Sequence, residues 1–318
     1  MSGSLDHRLK IAADPGTWTS LASNIRWRGE GPCPPPRKQP LAGPRPVVRW
    51  PRRYEHPLAG LFLRPIKEGF DALASVVTAD IPQTYKGIVM TEIDHGDGPR
   101  RVAIDYYDFT FVNAQCAAEA DTYFKLQYRP GGYPELANVY HGGYVTDKPF
   151  LYEHWCRLRA LRRQARPTSD VFGRFGLSFA RPVRERAIEM MQAERRIAYV
   201  GGARRTQHSR YLREMARARV CIDLPGQGPF CCRLVEGLAM GCCIVAARHA
   251  GELPVTLRDG VEIVYCEEDL SDLADLCVVY ARNEDRRARI EAAAARYFDE
   301  NLHPVRMAER YLRIAGES

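Results

Sequence analysis

With 318 residues, 45% of them hydrophobic, the chain holds enough apolar material for two modest globular domains. No apolar run approaches the roughly 18 residues of a membrane helix, and residues 1–7 lack the charged and apolar order of a signal peptide, so a cytoplasmic protein without a membrane span is expected. The formal charge of +7, carried by a large arginine share, points to acidic partners without naming one.

Residues 1–65 differ from the rest. Prolines crowd 31–40 and 43–46, each removing a donor and fixing φ, so an extended Pro/Arg-rich arm is predicted. Its Trp27 and Trp50, mixed with arginines, could stack on nucleic-acid bases or pack against the parent domain.

Regular structure begins in 66–166, an α/β domain with strands predicted at 75–79, 87–91, 101–106 and 120–125. Titratable groups gather where such a sheet would open: Glu92, Asp94, His95 and Asp97, then Asp105 and Asp108. Each one singly also fits ordinary turn chemistry. Lys125, at a predicted strand end, reads as a contact for phosphate or acceptor, or as a solvated lysine. Residues 139–145 form a glycine-paired turn, and a basic helix at 147–166 bridges to the second half, with a boundary near Pro167.

From 167 to 300 strand and helix alternate, which implies a parallel sheet: a strand at 170–177, a helix at 182–192 opened by proline, a strand at 196–200, and a helix at 209–217. Arg174, between Gly173 and Gly176, is placed at the edge of that sheet where ligands bind, as a phosphate contact or a structural arginine. Residues 301–318 form a final helix with an apolar stripe at Val305, Ala308, Tyr311 and Leu312.

The segment 220–247 is the most informative. It reads as an apolar strand (220–224), a turn Pro-Gly-Gln-Gly-Pro (225–229), a helix (230–240) and a buried strand from Cys242. At 100° per residue Cys231, Leu234, Val235 and Leu238 face a sheet, while Arg233, Glu236, Gly237 and Met240 lie opposite, with Gly237 leaving room for a ligand. The amides of Gly226, Gln227 and Gly228 lie at the helix N-terminus, which suits an anion. Arg233 can neutralise a phosphate leaving group and Glu236 can accept from ribose hydroxyls, a nucleotide diphosphate socket. The alternative is an exposed helical ion pair worth roughly 0.2–0.5 kcal/mol.

Ten cysteines are present; Cys221, Cys231, Cys242, Cys243 and Cys277 occupy apolar positions and are expected to be free. The doublets at 231–232 and 242–243 lack the C-x-x-C spacing of a metal site, and Asp105 and Asp108 make no D-x-D, so no metal is expected.

The run R-x-x-E-G-L-A-M-G-C-C-I-V-A, from Arg233, preceded by C-I-D-L-P-G, resembles the nucleotide-sugar-binding half of GT-B glycosyltransferases, of the glycosyltransferase group 1 and exostosin-like families. Residues 102–109 and 120–128 are similar to the acceptor-side half of bacterial exostosin-like enzymes. The resemblance implies two Rossmann-like domains facing a central cleft, the N-terminal one reduced, and a last helix packing back on the first domain. It places Glu236 on the donor ribose and Arg233 on the diphosphate, with His249 and Glu252 near the sugar. It further implies transfer from a nucleotide diphosphate sugar, by default a UDP-sugar, to a hydroxyl or amine, without a cofactor.

Such transfer needs a base, for which Asp94, His95, Asp105 and Asp108 are the candidates, His95 and Asp105 foremost. With no metal, Arg174, Arg233 and the backbone amides carry the electrostatic work. The positive charge suits an acidic acceptor: a carrier protein, a phosphorylated metabolite or DNA. Competing readings are a basic nucleic-acid-binding protein, a DNA-modifying sugar transferase, and a partner subunit that kept the fold and lost the chemistry.

Overall fold

The computed structural model describes residues 15–31, 33–36 and 43–317. Two sheets, one in each half of the chain, turn the carboxyl ends of most of their strands toward a shared cleft.

The first sheet has six strands: β1 (Val47–Pro51), β2 (Ser75–Ala79), β3 (Ile88–Asp94), β4 (Pro99–Asp105), β5 (Thr122–Lys125) and β6 (Val139–His141), in the order β2-β1-β3-β4-β5-β6. Strand β3 runs antiparallel to both neighbours, β1 and β4, and the other pairings are parallel. The sheet is therefore mixed. Neither β1 nor β6 is legible in the sequence, since β1 lies in the expected arm and β6 beside a glycine pair.

That arm needs correction in its described part. Strand β1 is built into the first sheet with Trp50 buried in its core, and helix α2 (Ala59–Leu73) follows. Leu63, Ile66, Phe70 and Leu73 form the buried stripe of α2, which offsets the donor lost at Pro65 inside it. An earlier helix, α1 (Pro15–Gly29), brings Trp27 against Phe150 and His154 at ring distances of 6.2 and 5.6 Å. Both tryptophans thus pack on the parent fold rather than offering free stacking faces. Residues 1–14, 32 and 37–42 of the arm lie outside the described residues.

A short helix α3 (Ala114–Glu119) precedes β5, and α4 (Pro149–Gln164) leads to the second sheet. Cys156 on α4 is disulfide-bonded to Cys33, so the chain's cysteines are not all free. A separation of 123 residues hid this pair from any spacing argument. The five cysteines singled out from the sequence are free.

The second sheet contains β7 (Ser169–Arg174), β8 (Tyr199–Gly202), β9 (Ala218–Asp223), β10 (Cys243–Ala246) and β11 (Val264–Tyr265) in the order β11-β10-β9-β7-β8, all parallel. Helices α5 (Arg181–Ala193), α6 (His208–Ala216), α7 (Cys232–Met240), α8 (Leu273–Arg282) and α9 (Glu284–Tyr297) cover it. Strand order reverses between β7 and β9, so the ligand crevice of this sheet opens at Arg174 and Asp223, their last residues.

After a π-helical turn (Phe298–Leu302), helix α10 (Pro304–Glu317) crosses back to the first domain. Tyr311 stacks on Phe124 at 3.9 Å and 1°, and its hydroxyl donates to the Gly142 carbonyl at 2.6 Å. Burying one such ring stabilises by about 1.5–3 kcal/mol. Gly69 on α2 has no Cβ because the Pro304 carbonyl fills that position. Among the described residues no helix is long and apolar enough to cross a membrane.

Candidate active site

Between the two sheets lies a cavity of about 580 Å³. Its second-domain side is built on β7, β9 and α7. The turn after β9 presents Gly226, Gln227 and Gly228 to the cavity, and Arg233 and Glu236 reach it from α7, which starts at Cys232 rather than at residue 230. Neither points to open water: Arg233 is 7% exposed and Glu236 3%.

Each of those two side chains is held by a specific partner. Arg233 donates to Asp223 Oδ1 at 3.0 Å and to the Leu224 and Arg174 carbonyls, and its guanidinium lies 4.6 Å from the Phe175 ring centre. Its Nε, buried, has no partner among the described residues. Glu236 Oε1 is bonded to His208 Nε2 at 2.8 Å. Arg233 and Glu236 are therefore not paired with each other.

Arg174 lines the same cavity and is tied to Glu214 at 2.7 Å. Arg184, which the sequence reading missed, donates to the carbonyls of Pro225 at 2.9 Å and Gly176 at 2.5 Å, so it fixes the turn 225–229 from behind. Burial and then the neighbouring Arg233 charge lower its pKa. Arg184, Arg204 and Arg205 add guanidiniums to this wall, on which Arg233 and Arg174 are paired with Asp223 and Glu214. No sequence pattern marks Arg184, because its carbonyl partners lie 8 and 41 residues away. His208, also missed, lies one residue ahead of the helix expected at 209–217 and is the first residue of α6.

Asp223 also accepts from or shares a proton with His249 Nε2 at 3.1 Å, and His249 Nδ1 meets Tyr265 OH at 3.1 Å. His249 thus sits beneath Arg233 in a closed network, not on the cavity wall. Glu252 binds the amide of Gly131 at 3.1 Å and clamps the two domains away from the cavity.

The other wall comes from the first domain. Asp108, Tyr144, Asp147 and Lys148 line it, and Asp108 is the one candidate base that the fold brings to the cleft. Burial raises its pKa, opposed by a hydrogen bond from Gln127 and by the Lys125 charge. Gln127 is itself fully buried, and a Cβ on Gly228 would overlap the Asp108 carbonyl, so the donor turn and the Asp108 loop touch.

Five of the residues expected at the site lie away from the cavity. His95 and Asp94 sit at the β3–β4 hairpin, the opposite end of β4 from the cleft, some 20 Å away for six residue steps. There Asp94 accepts from the amides of Gly96 at 2.8 Å and Gly98 at 3.2 Å, which lowers its pKa, and His95 packs against Gly316. Asp105 and Lys125 pair at 2.8 Å, and both are essentially inaccessible. Burial favours the neutral form of each, raising Asp105 and lowering Lys125, while the partner charges oppose it. Gly237 faces the sheet, not a ligand: a Cβ there would lie 2.7 Å from Ile244 and 3.1 Å from Met215.

Two α/β domains facing a cleft, a parallel sheet in the second and a last helix returning to the first make up a GT-B-like fold. Residues 179–313 match the family described as glycosyl transferase-like. Solved structures similar to it include Anabaena HepE in complex with UDP-glucose, at 14% identity over 65% of this chain and 69% of that one, TM-score 0.40. Acinetobacter baumannii MurG is similar at 13% identity over 68% and 66%, TM-score 0.39. A Rickettsia africae glycosyltransferase is similar at 19% identity; this chain spans 44% of its length, with 52% of this chain covered and TM-score 0.33. No curated protein matches.

Proposed function

We propose that this chain moves a sugar from a nucleotide diphosphate sugar, by preference a UDP-sugar, to an acceptor hydroxyl without a metal ion. The observation that supports it is the donor wall: five guanidiniums (Arg174, Arg184, Arg204, Arg205, Arg233) face one carboxylate, Glu236, across the amide-lined turn 226–228. A diphosphate placed at that turn meets the helix N-terminus and the arginines, which stabilise charge as the nucleotide departs. His208 orients Glu236 to accept from the ribose hydroxyls, and Asp108 takes the acceptor proton. Its burial suits that task, since a carboxylate of raised pKa is a stronger base.

The test is thermal unfolding with and without UDP, followed by donor hydrolysis. A ligand that binds only the folded state raises the melting temperature, by about 2.7 kcal/mol of stabilisation at a hundredfold excess over Kd. UDP is expected to stabilise the wild type and not Glu236→Ala. No stabilisation by any nucleoside diphosphate overturns the reading.

A further inference from the structure

The loop after β4 carries a feature that the donor site does not use. Tyr107, Phe109 and Phe111 pack together with ring centres 5.2 to 5.9 Å apart, and Phe109 and Phe111 lie nearly parallel, at 15°. Yet Phe109 is 38% and Phe111 61% exposed. They flank Asp108 in the chain, and Phe62, which lines the cavity, stacks on Tyr106 of the same loop. Neither ring lines the cavity itself, but exposed apolar rings on a loop whose Asp108 does line it mark a binding surface.

The loop is held rigidly. Asp105 accepts from the Tyr107 amide at 2.9 Å, and Lys125 donates to the Tyr107 carbonyl at 3.3 Å. Tyr133 OH bonds the Thr110 carbonyl, and Tyr123 OH bonds Asp105. A buried ion pair is costly to desolvate; here it fixes the backbone that presents the rings. This gives Asp105 and Lys125 a positioning role.

Charge decides what those rings receive. The donor wall carries five arginines, of which Arg233 and Arg174 are paired with Asp223 and Glu214, whereas the first-domain wall contributes Asp108, Asp147 and Lys148, with Lys148 paired to Asp147. That side repels an anionic acceptor and offers carboxylates to hydroxyl donors. A hydrocarbon chain would bury Asp108 with only the Gln127 amide to satisfy it. A sugar ring fits both parts, its C–H face against the electron-rich ring faces and its hydroxyls toward Asp108 and Asp147.

Resting on the donor reading above, the geometry points to loop 106–111 as a preorganised aromatic platform for the acceptor, and to a neutral saccharide as that acceptor. In the transfer, the acceptor oxygen bonds to the anomeric carbon, the bond to the diphosphate breaks, and the hydroxyl proton passes to Asp108 Oδ.

The experiment uses the full chain and the variant Phe109→Ala/Phe111→Ala, both exposed positions whose loss leaves the fold intact. Binding is read on arrays of neutral oligosaccharides, on sulfated and sialylated ones, and on phosphatidylglycerol vesicles, alongside the UDP thermal shift. Neutral glycans are expected to bind the wild type and to lose at least tenfold in the variant, with the UDP shift unchanged. Retention only by anionic glycans or by vesicles, or equal binding by the variant, overturns the platform. A UDP shift without glycan binding sinks this inference and spares the donor reading; ring-dependent glycan binding without a UDP shift does the reverse.

Discussion

The side-chain amide of Gln127 pairs with the backbone of Phe230 in both directions, donating to its carbonyl at 3.1 Å and accepting from its N–H at 3.0 Å. Gln127 follows β5 in the first domain and Phe230 closes the donor turn of the second, so one amide sets the spacing of the cleft. Replacing it with leucine leaves two buried backbone groups unpaired, at about 1–3 kcal/mol each. We expect Gln127→Leu to lower the melting temperature and weaken UDP binding together, read by calorimetry and titration. A variant with unchanged stability would show that water or another residue takes over the pairing.

Arg184 gives a different signature. Its guanidinium holds the carbonyls of Gly176 and Pro225 and adds charge beside the turn 225–229, the proposed diphosphate site. Arg184→Met keeps the length of the stem and removes the charge. The donor KM is expected to rise roughly tenfold, equivalent to about 1.4 kcal/mol, with a smaller change in kcat. The dependence of donor binding on salt should weaken in parallel, since screening acts on the charge that was lost. An unchanged donor KM would make Arg184 a purely structural arginine.

What the sequence made legible follows from what periodicity can encode. Strand β9, helix α7 and the turn between them were readable because their apolar spacing and glycines are local, and Arg233 and Glu236 came with them. Their partners were not readable: Asp223, His208 and Arg184 meet the site only through the tertiary fold. The base was harder still. Asp94, His95, Asp105 and Asp108 look alike as carboxylate-rich turns, and only the direction of β4 decides that one end of it faces the cleft. Asp105 and Lys125 are adjacent across β4 and β5, a parallel pairing that no spacing in the chain reveals. Gly237 misled because a glycine on a helix serves close packing as readily as ligand approach.

Asp108 carries a pH prediction. As a base it must be ionised, and burial holds its pKa above the ordinary carboxylate value. The transfer rate should therefore be full above that raised value and fall as pH drops through it, with donor binding less affected. Asp108→Asn should cost about 10²–10⁴ in kcat and abolish this acidic limb. A surviving limb of the same midpoint in Asp108→Asn would assign the base to another group.

Stability has its own titrating residue in His303, at the entry to α10. It is buried against Trp155 and Phe298, and its Nδ1 accepts from the Val305 amide at 3.2 Å. Burial, then the charges of Arg159 and Arg306, push its pKa down to about 3. The unfolded chain, with histidine near its ordinary value of about 6.5, binds this proton across the interval in which the folded chain does not. Stability is then complete above that ordinary value and is lost as pH falls toward the folded one, at up to about 1.4 kcal/mol per pH unit. His303→Asn keeps an acceptor for Val305 and does not titrate. Urea unfolding at pH 7 and pH 5 should show the wild type losing stability by about 2 kcal/mol more than the variant. Equal losses in both proteins would place the acid sensitivity elsewhere than at the joint that returns α10 to the first domain.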